Sequence, residues 1–128
     1  MKSVSECDGD GRQGGSFTCA VRRLPAGVTL VRTTGHLNGQ TGSQMCQVIA
    51  DELVRKPTQL VLELSGTTSV DGAAVEAVLS ASALAAESNI SFCLVAPEAS
   101  PLVRVLAAED LIERFEIFAT VREATRNR

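Results

Sequence analysis

The chain has 128 residues and a net charge of −3, with 45% apolar and 21% charged residues, which is enough apolar matter for one domain around one core. The two charge signs are mixed along the chain and only 3% of residues are aromatic, with no Trp or Tyr, so neither a basic face nor a stacking platform points to direct nucleic-acid binding. No apolar run reaches membrane-spanning length, and Met1 to Asp8 lacks the apolar stretch of a secretory signal, so the expected protein is cytoplasmic, with no membrane insertion.

Residues 1–15 end in Asp8-Gly9-Asp10-Gly11-Arg12-Gln13-Gly14-Gly15, with no apolar face to bury, and read as a flexible tail ahead of a domain over 16–128. The acidic residues and glycines there lack the ligand spacing and closing Glu of a calcium loop. Phe17 to Val21 and Val28 to Arg32 are β-branched-rich runs joined by Leu24-Pro25-Ala26-Gly27, which suits a type I turn, so they read as a hairpin. Thr41-Gly42-Ser43-Gln44 has the form of a capping box with Thr41 as N-cap. Met45, Val48, Ile49 and Leu53 follow at helical spacing, and Arg55-Lys56-Pro57 supplies a stop, giving a helix over 42–55.

Leu60 to Leu64 is an apolar run expected of a strand buried on both faces, and Gly66 to Val70 reads as a loop. Asp71 caps an Ala-rich helix over 72–87 that is apolar around much of its circumference. Ile90 to Val95 is a fourth strand, and Ser100-Pro101 opens a short helix carrying Leu102, Val105 and Leu106. Phe115 to Phe118 is a fifth strand, and Thr120-Val121-Arg122-Glu123 is a second capping box. The order ββαβαβαβα predicts a single α/β domain with a mixed, mostly parallel five-stranded sheet and about four helices, the first hairpin supplying the antiparallel edge.

Cys7, Cys19, Cys46 and Cys93 have no spacing suited to zinc or redox work, and the last three read as small packing residues. His36, the one histidine, has no catalytic set around it in sequence and reads as a loop residue. With no nucleophile–base pair, metal cluster or phosphate loop, no enzyme activity, catalytic residue, metal or cofactor is expected.

The segment Leu60 to Leu79 resembles the STAS domain family (sulfate transporter and anti-sigma factor antagonist), in which an apolar strand ending Asp-Leu-Ser is followed by a short loop and then Asp-Ser-Ser-Gly. Gly35-His36-Leu37-Asn38 is similar to the family's Gly-x-Leu-Asp, and Val95-Ala96-Pro97, Val105-Leu106 and Phe115 to Phe118 match its later elements in order. The resemblance implies a regulatory module whose helix start docks onto an anti-sigma factor, often also a serine kinase, and whose phosphorylation at the first Ser of the loop breaks that contact. It places the partner face on Asn38, Ser69, Asp71, Gly72, Ala73, Val75 and Glu76.

The chain departs from the family pattern at this loop. Gly72 stands at the phosphoacceptor, Ala73 at the second Ser and Ala74 at the Gly, while Asn38 and Glu63 replace Asp residues. Thr67, Thr68 and Ser69 are the neighbouring candidate acceptors, although such hydroxyls more often make local bonds to the backbone. Asp71 doubles as an N-cap, and Arg122, Arg126 and Arg128 suit the end of a terminal helix. Other STAS domains serve as subunits of lipid-transport ATP-binding-cassette complexes or sense nucleotides and other small ligands, which is the alternative reading. A homodimer is left open.

Overall fold

A computed structural model describes residues 17–126. The tail expected over 1–15 and the terminal Arg128 lie outside the described residues. Strand β1 (Phe17–Leu24) pairs antiparallel with β2 (Val28–Leu37). Then follow α1 (Gly39–Leu53), β3 (Gln59–Val70), α2 (Gly72–Glu87), β4 (Ser91–Val95), α3 (Pro101–Ala108), β5 (Ile117–Phe118) and α4 (Val121–Thr125). The predicted element order holds, in one five-stranded sheet of spatial order β1-β2-β3-β4-β5.

Strands β2 to β5 are parallel and laid down side by side in one direction. Right-handed crossovers then put every connecting helix on the same face. Accordingly α1, α2 and α3 pack on one face, over Cys19, Val21, Val31, Leu60, Leu62 and Leu94. The opposite face, with Val28, Leu30, Val61, Cys93 and Val95, is covered by Ala124 and Val121 of α4. Alternate residues of β3 thus enter two different apolar clusters, which is why its sequence shows no polar alternation. Gln59 ties α4 down by donating from Nε2 to the Ala124 carbonyl at 3.0 Å.

Several details differ from the sequence reading, among them the fifth strand, which begins at Ile117 and not at Phe115. The hairpin turn is not type I, because Ala26 takes φ 68° and ψ 20°, the left-handed region, and Gly27 follows at φ 79°. Helix α1 starts three residues early: Asn38 is its N-cap and Thr41 the third helical residue of the box. At α4, Thr120 caps the Glu123 N–H as expected, but the Glu123 carboxylate reaches back to Ala119 rather than to Thr120.

The largest difference is in residues 66–70, which form the continuation of β3 and not a loop. They pair with Thr34 to Leu37 of β2, through two irregularities that each give β3 one extra residue. A Cβ at Gly66 would come within 2.6 Å of Thr34 Cγ2, so the glycine that reads as a loop opener marks a close backbone approach within the ladder.

Candidate docking site at the helix starts

Because β2 and β3 are parallel and each runs directly into a helix, α1 and α2 begin side by side at the C-terminal ends of these strands. The two N-caps are coupled through the backbone, with the Asp71 N–H donating to the Leu37 carbonyl at 3.3 Å. Asn38 Oδ1 accepts from the Thr41 N–H at 3.0 Å, and Thr41 Oγ1 accepts from the Asn38 N–H at 2.8 Å. Asp71 Oδ1 accepts from the Ala74 N–H at 3.0 Å. Each cap removes an orphan donor at a helix start and contributes about 1 kcal/mol.

Around these caps the chain presents an open face of small side chains. Ser69, Asp71, Gly72, Ala73 and Glu76 are exposed, with Gly39 beside them and Asn38 half-buried. A Cβ built at Gly39 would meet Ala73 Cβ at 3.3 Å, so the first turns of α1 and α2 all but touch. A Cβ built at Gly72 meets nothing within 4 Å. Val75 does not join this face: it is 2% exposed and packs into the core beneath α2. It shares a helical stripe with the buried Val78, Ala81 and Ala85, which faces the sheet.

The hydroxyls before Asp71 separate into one buried and two exposed, because the irregularity between the Gly35–Thr67 and His36–Ser69 pairs breaks the strand's alternation there. Thr67 is buried and shares a 3.2 Å hydrogen bond with Thr33. Ser69 is exposed, and its Oγ lies 2.6 Å from His36 Nδ1, with Thr68 Oγ1 at 3.5 Å from the same nitrogen. His36 is therefore a strand residue with a cross-strand Ser partner, not a loop residue. No local signal could have shown this, since the pairing depends on the β2–β3 register. Glu63, which stands where the family has Asp, pairs with Arg32 at 3.1 Å on the other face of the sheet, away from α1 and α2. Cys19 and Cys93 are buried, and burial pushes the Cys46 thiol above its ordinary pKa.

Among the described residues no group of three His, Cys, Asp or Glu side chains converges as a metal would need, and no helix is long and apolar enough to cross a membrane. No carboxylate hydrogen-bonds His36 among them either. The arrangement offers shape, backbone and a few polar tips.

Solved structures share the architecture. An anti-sigma factor antagonist from Mycobacterium paratuberculosis aligns with TM-score 0.74 at 20% identity, covering 88% of this chain and 93% of that one. A putative anti-sigma factor antagonist from Thermotoga maritima aligns with TM-score 0.71 at 21% identity, covering 85% and 92%. The anti-sigma factor antagonist SpoIIAA of Bacillus, in its unphosphorylated form, aligns with TM-score 0.69 at 19% identity, covering 86% and 95%. No curated protein matches the chain in sequence. The family model for the STAS domain matches residues 21–124, nearly the whole of the described fold, and the chain belongs to the STAS domain family.

Proposed function

We propose that this chain is a cytoplasmic binding module of the anti-sigma factor antagonist kind, whose helix-start face docks an anti-sigma factor. The observation that carries the reading is the open, small-residue surface at Gly39, Gly72 and Ala73, built on two helix caps that are satisfied from within. Close packing explains the small residues at Gly39 and Ala73, but nothing about the fold needs Gly72 to be bare, since its Cβ position has open space around it. A surface kept low where the fold would tolerate bulk is what close approach by another protein calls for.

The role proposed is binding, with no catalytic step and no cofactor. Regulation by phosphate at position 72 is closed to this chain because Gly72 carries no hydroxyl. Of the neighbouring candidates, Thr67 is buried, which leaves Ser69 and Thr68 as the hydroxyls a kinase could reach. Ser69 is the better placed, because it is exposed directly before the Asp71 cap and its Oγ lies 2.6 Å from His36 Nδ1.

The test is titration calorimetry of the chain against the kinase-fold anti-sigma factors of its source organism, expressed singly. The expected result is one saturable complex in the micromolar range or tighter, blocked when the cognate sigma factor is in excess. If none of them binds, while the chain is folded by circular dichroism, the antagonist reading fails.

A further inference from the structure

The charges that look mixed along the chain are segregated in space. No Lys or Arg lies between Arg32 and Arg55, or between Lys56 and Arg104, and these two stretches contain the whole of α1 and α2. The two helices carry Asp51, Glu52, Glu76 and Glu87 and no cation. Glu52 is spent within the molecule, on Arg23 at 2.9 Å. Glu76 is exposed and makes no ion pair among the described residues.

A groove of about 630 Å³ runs along the outer seam of these helices, with Ser43, Cys46 and Ala50 on one wall and Ala77, Ser80 and Leu84 on the other. Glu76 stands in the same lining, and Ala73 joins the groove to the helix-start face. The walls rise little above the seam because their side chains are small. At 1.5 Å per residue they run for roughly 17 Å, about three turns of a helix laid along them. Val54, 79% exposed, is the exposed large apolar residue among those described. It falls one helical turn beyond Ala50 and extends the α1 wall with a bare aliphatic side chain.

We propose that this groove receives a cationic amphipathic helix from a partner protein, its apolar stripe on Ala77, Leu84 and Val54 and its Lys or Arg side chains against Glu76 and Asp51. The proposal rests on the reading of the chain as a protein-binding module, and adds which surface is used and what chemistry fits it. A second copy of this chain would bring the same negative charge to the seam, and an acidic segment is repelled for the same reason.

The test uses the full chain and three labelled synthetic peptides of about 18 residues, long enough for the three turns the groove holds with a turn to spare at each end. One has Leu on one helical face and Lys on the other, one has the same composition without the apolar stripe, and one replaces every Lys with Glu. Fluorescence anisotropy should show saturable binding of the first and at least roughly tenfold weaker binding of the other two. Glu76→Lys and Ser43→Trp, both at exposed positions, should each weaken the first peptide at least about fivefold with the thermal melt unchanged. The bound peptide should also slow alkylation of Cys46 by N-ethylmaleimide, read by mass on the fragment that contains it. Equal binding of the striped and unstriped peptides, or unchanged affinity in both folded variants, would overturn the proposal. No anti-sigma factor enters this assay, so its failure is distinct from failure of the antagonist reading, and the reverse also holds.

Discussion

Gly42 and Gly72 sit near the starts of neighbouring helices, and they are glycine for opposite reasons. At Gly42 a Cβ would lie 2.7 Å from Ala77 Cβ, closer than packed carbons come, so the contact between α1 and α2 dictates the residue. At Gly72 a Cβ would touch nothing, and the backbone is helical, so the fold would accept any side chain there. The comparison separates what the fold requires from what it leaves free. The seam between α1 and α2 is determined by packing, whereas packing leaves the residue at the start of α2 free.

The strongest way to sharpen that contrast is to add bulk at both positions. Gly42→Val forces carbon into the seam, and overpacking of this kind costs about 1–3 kcal/mol, read as a lower urea midpoint with the slope unchanged. If the midpoint does not move, the helices are not in the close contact described. Asp71→Ala removes the cap of α2 and should cost about 1 kcal/mol in the same assay. Gly72→Ala should have the smallest effect and the opposite sign, a gain of up to about 0.4–1 kcal/mol from the reduced freedom of the unfolded chain. A loss at Gly72→Ala would mean that the open space is not there.

Gly72→Ser asks the same question in chemical terms. A hydroxyl at that position meets open space, so a family kinase with ATP should phosphorylate the variant on the fragment carrying residue 72. The wild-type chain should take no phosphate on that residue. Phosphate on Ser69 of the wild type, lost in Ser69→Ala, would establish the relocated acceptor beside His36.

Most of the fold was legible because its signals are local. The Asp71 cap and the helix over 72–87, the Ser100-Pro101 helix start and the apolar β3 core each depend on residues within a turn or a strand of one another. The misread elements depend on distant partners. The segment 66–70 looks like a loop by composition, yet is held as strand by Thr34 to Leu37, residues far away in sequence. The same pairing hides the His36–Ser69 contact and the burial of Thr67 against Thr33. For the site, Asn38, Ser69, Asp71, Gly72, Ala73 and Glu76 were placed together by family pattern, and the crossover geometry explains why they meet. The same family pattern named Val75, but helical periodicity carries it inward with Val78 and Ala81. The groove gave no sequence signal beyond the missing cations, since it needs two helices at known separation.

The central claim is that the bare start of α2 is an interface. Gly72→Glu and Ala73→Glu place a carboxylate in a first helical turn, where it interacts favourably with the helix dipole by about 0.3–1 kcal/mol. Both side chains project into solvent from exposed positions. The melting temperatures should therefore stay at or slightly above that of the wild type. Calorimetric titration with the anti-sigma factor that binds the wild-type chain should show each variant weakened at least roughly tenfold, about 1.4 kcal/mol. Wild-type affinity in both variants, with both fully folded, would contradict the account and place the interface elsewhere on the domain.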